Sequence, residues 1–381
     1  MKYENSKQQS KATVHRLFEI STIMPKLPAT SLTRLRSTCK RWNRLFNDRS
    51  FAIKHFHKAT KQSLYLMLKT VGFCSVSINL HRPIEVTGEL NLINPQYSLD
   101  EFEISNFCYS DGLLLCVCAN KKIALSILDT KLVIWNPCTG ESKWIQPIHE
   151  CIIGNRYSFG SYQDKKTGTN SYKILSDKYS ADPKLQFRIH EINSNSWRNL
   201  DVALDFELGW CNVSLKGKTY WIGTGEKEKR RGTFLVSFDY TTERFKRLSL
   251  PRQYPSYEAL SLSVVREEKL CVLLKREITV KTEVWVTNKI GETKAAFWSK
   301  VFAVDFTPPC DASFLVDEEK KLLVCSIYDL EKLQHMAYTV GEDNKVMEKA
   351  FGSGFRPFLF NYVPSLTQIE QVTGTKRKRG E

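Results

Sequence analysis

Gly217-Lys218-Thr219 is the nearest approach in this sequence to a phosphate-binding loop, in which backbone amides and a lysine would cradle a nucleotide. That chemistry also needs a glycine five residues before Gly217, where Asn212 stands, and a helix afterwards, whereas TYWIG follows, a strand pattern. No G-x-S-x-G elbow or H-E-x-x-H pair occurs in the sequence. The seven histidines are scattered; His55 and His57, two apart on a helical segment, point to different sides and are expected on a solvated face. Eleven cysteines could hold metal or cross-link, yet the number is odd, the spacings are irregular and C-x-x-C is missing. Cys116 and Cys118 alternate within an apolar run, so both belong on one strand face, as small hydrophobes in a reducing compartment. Trp135, Trp144, Trp197, Trp221, Trp285 and Trp298 could form a ring of stacking platforms, but their equivalent positions in successive hairpins argue for repeated core packing. These residues predict a binding protein rather than an enzyme, with no cofactor and no metal.

The net charge of +15 raises the question of a nucleic-acid partner. Residues 1–62 carry 14 Lys and Arg against three acids, and the terminal KRKRGE adds four bases and one acid. The long middle is therefore close to neutral, whereas a phosphate-tracking groove needs bases spread through the large domain. No nucleic-acid partner is expected. Lys376, Arg377, Lys378 and Arg379 form a compact basic cluster, compatible with a nuclear import signal and equally with a solvated tail. The longest apolar runs, such as Leu113 to Ala119, fall far short of the about 18 residues of a membrane span. The N-terminus lacks the apolar core of a secretory signal. The expected location is nucleus and/or cytoplasm, with no membrane partner.

The elements that carry these residues divide the chain in four: residues 1–11 disordered, 12–60 helical, 63–369 β, and 370–381 a basic disordered tail. In 31–46, Leu32, Leu35, Cys39, Trp42 and Leu45 recur at steps of three and four, which predicts one amphipathic helix. Thr30 and Ser31, after Pro28, are placed to cap it, and a second amphipathic piece covers Phe51 to Lys58. So short a head cannot bury enough apolar surface alone and needs a partner, its own β domain or another protein.

The run LPATSLTRLRSTCKRWNRL, residues 27–45, resembles the second half of an F-box, with Leu27, Pro28, Ser31, Leu32, Arg36, Cys39, Lys40 and Trp42 at the pattern positions. The resemblance implies docking on the Skp adaptor of a cullin-type ubiquitin ligase. Leu27, Pro28 and Leu32 would supply contacts, the Cys39 to Trp42 helix would pack behind and beside them, and Arg36, Cys39, Lys40, Trp42 and Leu45 complete the implied adaptor-binding set. The opening half, HRLFEISTIMP over 15–25, lacks the usual proline and acidic cap, and Pro25 falls where the first helix should run.

From about residue 63, short alternating runs are separated by polar turns. Tight hairpins recur at YSDGLLLCVC, KKTGTNSYKIL, VSLKGKTYWIG, SVVREEKLCVLL and FLVDEEKKLLVCS. Their landmarks Gly112, Gly168, Gly217, Glu268 and Glu319 are spaced by 56, 49, 51 and 51 residues. Between them lie hairpins that end in an aromatic, such as LVIWNPCTGESKWI and FRIHEINSNSWRNL. Two hairpins per repeat predict a mainly β fold, a kelch-like β-propeller of about six blades after the helical segment, with a twisted β-sandwich as the competing architecture. Gly223 to Gly232 and Gln253 to Glu258 are long enough to be recognition loops or plain connections.

This body also resembles the plant F-box-associated domain of the first type, through DGLLLC, IWNPCTGESKWI, NSNSWR, SFDYTTERFKRLSLP, EVWVTNKI and YVPSL among other stretches. The resemblance implies a substrate receptor that tethers an unknown target protein to a Skp adaptor and, through it, to a cullin scaffold. A plain interaction module that has lost ligase coupling is the alternative that the altered first F-box half leaves open.

Overall fold

The computed structural model describes residues 24–59, 64–69, 72–79, 82–92, 102–120, 130–146, 155–164, 170–178, 187–227, 230–252, 257–276, 281–288, 290, 297–310, 312–329, 331–351 and 355–369. Residues 1–23, with most of the opening half of the F-box-like pattern, lie outside them, as do Gly168, residues 253–256 of the second candidate loop and the 370–381 tail with Lys376 to Arg379.

After a single 3-10 turn at Met24–Lys26 come α1 (Ala29–Arg36), α2 (Lys40–Phe46) and α3 (Arg49–Lys58). The single helix expected over 31–46 is broken. The Ser37 and Thr38 hydroxyls donate to the Arg34 and Leu35 carbonyls at 2.9 and 2.7 Å, taking up groups that a continuing helix would use. Cys39 then sits in extended backbone, exposed and off the apolar stripe. The expected Thr30/Ser31 cap is also corrected: Pro28 occupies the N-cap, with its fixed φ of −58°, and no side chain caps the helix. At α3, Asp48 does cap, accepting the Phe51 amide at 2.9 Å.

The β body is six four-stranded antiparallel sheets arranged as blades. Blade 1 contains β1 (Leu64–Lys69), β2 (Gly72–Asn79) and β3 (Arg82–Asn91). Blade 2 runs β4 (Phe102–Ser110), β5 (Leu113–Asn120), β6 (Lys131–Trp135) and β7 (Ser142–Ile145). Blade 3 holds β8 (Asn155–Gln163), β9 (Asn170–Lys178), β10 (Phe187–Glu191) and β11 (Ser196–Leu200). In blade 4 are β12 (Glu207–Leu215), β13 (Lys218–Lys227), β14 (Arg230–Asp239) and β15 (Arg244–Leu248). Blade 5 has β16 (Tyr257–Val265), β17 (Lys269–Arg276), β18 (Thr282–Thr287) and β19 (Trp298–Val304). Blade 6 has β20 (Ser313–Asp317), β21 (Leu322–Asp329), β22 (Gln334–Gly341) and β23 (Val346–Phe351). The last strand, β24 (Phe355–Tyr362), returns to pair with β1, so blade 1 is built from both ends of the domain and closes the ring. The six-bladed propeller expected from the hairpin spacing is the fold observed.

The sequence period reappears as contacts between blades. Ser263 Oγ donates to the Phe314 carbonyl at 2.8 Å and Ser261 Oγ to the Ala312 carbonyl at 2.7 Å, joining the innermost strands β16 and β20. Farther out, the Trp197 indole donates to the Gln146 carbonyl and the Trp298 indole to the Ser249 carbonyl, both at 3.0 Å. The six tryptophans of the hairpins are buried or half-buried among apolar neighbours, which is the core packing expected of them. Cys116 and Cys118 are buried on one face of β5. Gly217 belongs to a tight turn in which Lys216 and Gly217 both have positive φ, the geometry that twists with the flanking strands, and Thr219 beyond it is buried. Gly223 to Gly232, expected as a possible loop, is largely a hairpin: β13 and β14 stay paired out to Lys227 and Arg230.

Candidate functional site

The candidate site has two parts, the helical head and the propeller whose core it shares. Within the head, Leu32 is fully buried and packs with Ala29, Phe46, Phe51 and Ala52. Leu27, Leu35, Trp42 and Leu45 gather around this cluster, half-buried, and the Trp42 ring stacks on Phe46 at 5.5 Å. Pro28 is half-buried at the start of α1. Arg36 Nε donates to Asn43 Oδ1 at 2.8 Å, bridging α1 and α2, while Cys39 and Lys40 are exposed at the break. The structure thus brings most of the expected adaptor-binding residues into one small module. It places Leu32 at the module's centre rather than at its surface.

His55 corrects a second expectation. It is buried rather than on a solvated face, and its Nε2 lies 2.9 Å from the Leu27 carbonyl oxygen, tying α3 to the turn before α1. Burial holds its pKa below 6.5. The side chain of His57 lies outside the described residues.

The head shares its core with the propeller. Leu366, in the segment 363–369 that follows β24, is buried in the same cluster as Leu32 and Phe46, and Cys138 of the β6–β7 turn packs against it. Asn136, wholly buried, holds this segment. Its Nδ2 donates to the Ser365 and Thr367 carbonyls at 3.0 and 2.8 Å, and its Oδ1 accepts the Cys138 and Thr139 amides. Every hydrogen-bonding position of that amide is thereby used. The Ile369 amide donates to Glu141 at 3.2 Å, and Gln368 Nε2 donates to the Asn47 carbonyl at the end of α2 at 2.6 Å. Burial pushes the Cys138 thiol up to about 12, so it is a packing group here and not a nucleophile. Sequence reasoning passed over Asn136 and Leu366, and it expected His55 on a solvated face. The signal for Asn136 was present in IWNPCTGE, an asparagine where the hairpin leaves its strand.

Beside the axis, under α3, opens a cavity of ≈ 350 Å³, where Phe56 of the head meets Tyr109, Asp111, Lys216, Asp239 and Glu267 of the propeller. Its propeller lining includes residues of the β4–β5, β12–β13 and β16–β17 turns.

Residues 64–369 match the F-box associated beta propeller domain, and residues 22–54 match the F-box domain. The chain is a plant F-box protein with an F-box-associated propeller. This F-box protein is 55% identical to the Arabidopsis thaliana F-box protein At3g25460, over 92% of its own length and 96% of that relative. It is 42% identical to the Arabidopsis F-box protein ETP2, covering 95% and 97% of the two chains. A third Arabidopsis relative, the F-box/kelch-repeat protein At3g44120, is 41% identical over 94% and 97%. An F-box joined to a β-propeller in one chain is the arrangement of a substrate adaptor.

Proposed function

We propose that this protein is the substrate-recognition subunit of a cullin–Skp–F-box ubiquitin ligase, in which the head binds a Skp-family adaptor and the propeller holds a target protein. The supporting observation is the shared core of Leu32, Phe46 and Leu366, which attaches the F-box to the propeller as one body. A rigid attachment sets the distance and orientation at which a bound target is presented, and proximity raises its effective concentration at the ligase. No side chain of this protein need be catalytic, since bond-making takes place on other subunits. The half-buried Leu27, Pro28, Trp42 and Leu45, with the exposed Cys39 and Lys40, are the head residues available to an adaptor without unfolding the module. The protein would act in the nucleus and/or cytoplasm.

The test is binding of purified Skp adaptor to the full chain, beside a Lys40→Glu, Trp42→Ala double variant. A Leu32 variant is unsuitable, because a charge at that position would unfold the head rather than blunt a surface. Adaptor bound by the parent chain and lost in the variant, with unchanged thermal unfolding of the propeller, supports the receptor. No binding by the parent chain would leave an interaction module without ligase coupling.

A further inference from the structure

Over residues 24–59 of the head, nine Lys and Arg stand against a single acid, Asp48. Arg34, Lys40, Arg41, Arg44, Lys54 and Lys58 are all exposed with the propeller in place. Propeller cations commonly meet carboxylates: Lys69 pairs with Glu89 at 2.6 Å, Lys269 with Glu318 at 3.0 Å and Lys300 with Glu283 at 2.7 Å. The head differs. Among the described residues, the side chains of Arg34, Lys40, Arg41 and Arg44 make no ion pair and no hydrogen bond.

Helix α2 gathers three of these cations. Arg44 lies four residues after Lys40 and three after Arg41, so the three share one arc of the helix, opposite the stacked Trp42 and Phe46. The helix itself gains nothing from them. Lys40 and Arg41 occupy its first turn, where unpaired backbone N–H groups already carry partial positive charge and a cation is unfavourable. That turn holds no acid, and Cys39 at the N-cap supplies no side-chain bond to offset them. Lys40 and Arg44, one turn apart, also repel each other. Acids in the first turn would make a more stable helix, so the counter-charge these cations lack must come from outside the chain.

An unpaired basic arc suits either a phosphate backbone or an acidic protein surface, and its surroundings decide between them. Leu45 follows Arg41 by one turn and is half-buried at the edge of the arc. The same small module presents half-buried Leu27 and the 39% exposed Ile53. Apolar groups among charges are the make-up of a protein interface, with an apolar centre and a polar rim. A phosphate backbone would use the cations and leave the apolar groups wet. It would also need basic residues continuing beyond the head, and the long middle of the chain is close to neutral.

We infer that Lys40, Arg41 and Arg44 form a basic docking face for an acidic surface of the Skp-family adaptor, and that this face steers the two proteins together. This rests on the receptor reading and specifies the chemistry of its first partner: the adaptor surface that meets α2 carries Asp and Glu. Charges at an interface rim act chiefly on the association rate, by drawing the partners into register before they touch. Salt screens that attraction within about 10 Å, so the rate must depend on ionic strength.

The experiment follows association of the full chain with purified Skp adaptor by biolayer interferometry, from about 50 to about 500 mM NaCl. The association rate should fall about tenfold across this range, while dissociation changes less than about twofold. An Arg41→Glu, Arg44→Glu double variant should associate about tenfold more slowly at low salt and lose most of the salt dependence. Its thermal unfolding should be unchanged or raised, since an acid suits the first turn of α2. A Lys246→Glu, Lys349→Glu variant makes the same change in net charge at exposed positions of β15 and β23, and should keep close to the parent rate. Adaptor binding whose rate ignores salt, is unaltered in the head variant, or slows equally in both variants would overturn this inference and leave the receptor reading standing. Duplex DNA of about 20 base pairs, bound by the parent chain and lost in the head variant while the adaptor rate stays unaltered, would reassign the arc to phosphate. No adaptor bound even at the lowest salt would remove the receptor reading and this inference together.

Discussion

His55 Nε2 lies 2.9 Å from the carbonyl oxygen of Leu27, a contact that ties the last helix of the head to the turn that starts the first. The buried imidazole is held neutral, with its pKa below 6.5. On acidification the unfolded chain takes up a proton at this residue before the folded one does, so the head should loosen as pH falls below 6.5. His55→Ala should remove that pH dependence and cost about 2 kcal/mol by leaving the Leu27 carbonyl unpaired. Hydrogen exchange of the α1 and α3 amides across this pH range reads both effects.

His190 provides the corresponding test in the propeller. It is buried beside Trp197, 4.9 Å ring to ring, and burial depresses its pKa to about 4. Its contribution is complete above 6.5 and is lost progressively as pH falls from there to about 4, since only the unfolded state is protonated in that window. The loss should approach roughly 3 kcal/mol. His190→Phe should flatten this slope in urea-unfolding midpoints; an unchanged slope would show that His190 is not the group responsible.

Asn136→Ala should release the 363–369 segment. It removes two hydrogen bonds to carbonyls and two from amides in a fully buried position, for an expected loss of about 3 kcal/mol. Limited proteolysis should then cut within 363–369 before the blades unfold. Leu366→Ala should produce the same early cleavage through lost packing, at about 3 kcal/mol, while adaptor binding by the head weakens.

Gly160→Ala is expected to be poorly tolerated. A Cβ at Gly160 would stand 2.2 Å from the buried Tyr240 ring, whose hydroxyl is fixed 2.9 Å from Thr219 Oγ1. With no room for the ring to retreat, the cost should be about 2 kcal/mol or more, read as a lower thermal midpoint.

Among the described cysteines, Cys39 and Cys310 are exposed, whereas Cys74, Cys108, Cys116, Cys118, Cys271 and Cys325 are buried. Burial pushes the Cys108 and Cys118 thiols up to about 12 and Cys74 to about 11. Iodoacetamide should therefore label Cys39 and Cys310 in the folded chain and reach the buried thiols only in denaturant, as peptide mapping would show.

The propeller was legible because its signals are local and repeated. A turn such as Asp111-Gly112, with both φ values positive, needs particular residue types wherever it occurs, and strands alternate between its instances. The spacing of about 50 residues therefore carried the blade count. The head was legible only as a pattern. Its periodicity suggested one helix, because hydroxyls at Ser37 and Thr38 compete for carbonyls in a way that apolar spacing does not register. The outward-facing tryptophan was not legible at all. Trp210 stands outside the repeated hairpin positions and is exposed at a bulge in β12, where Gly209, Trp210 and Cys211 lie opposite Ile222.

The sequence by itself determined the element types, the number of blades and the kind of protein, since turn chemistry, alternation and motif spacing are properties of short stretches. Only the tertiary structure decided that Leu32 faces inward onto Leu366, that His55 is buried against Leu27, and that one tryptophan is turned outward by a bulge. Each of these depends on a partner distant in the chain or on how an inner strand is paired. Burial is a property of the assembled neighbours and not of the residue.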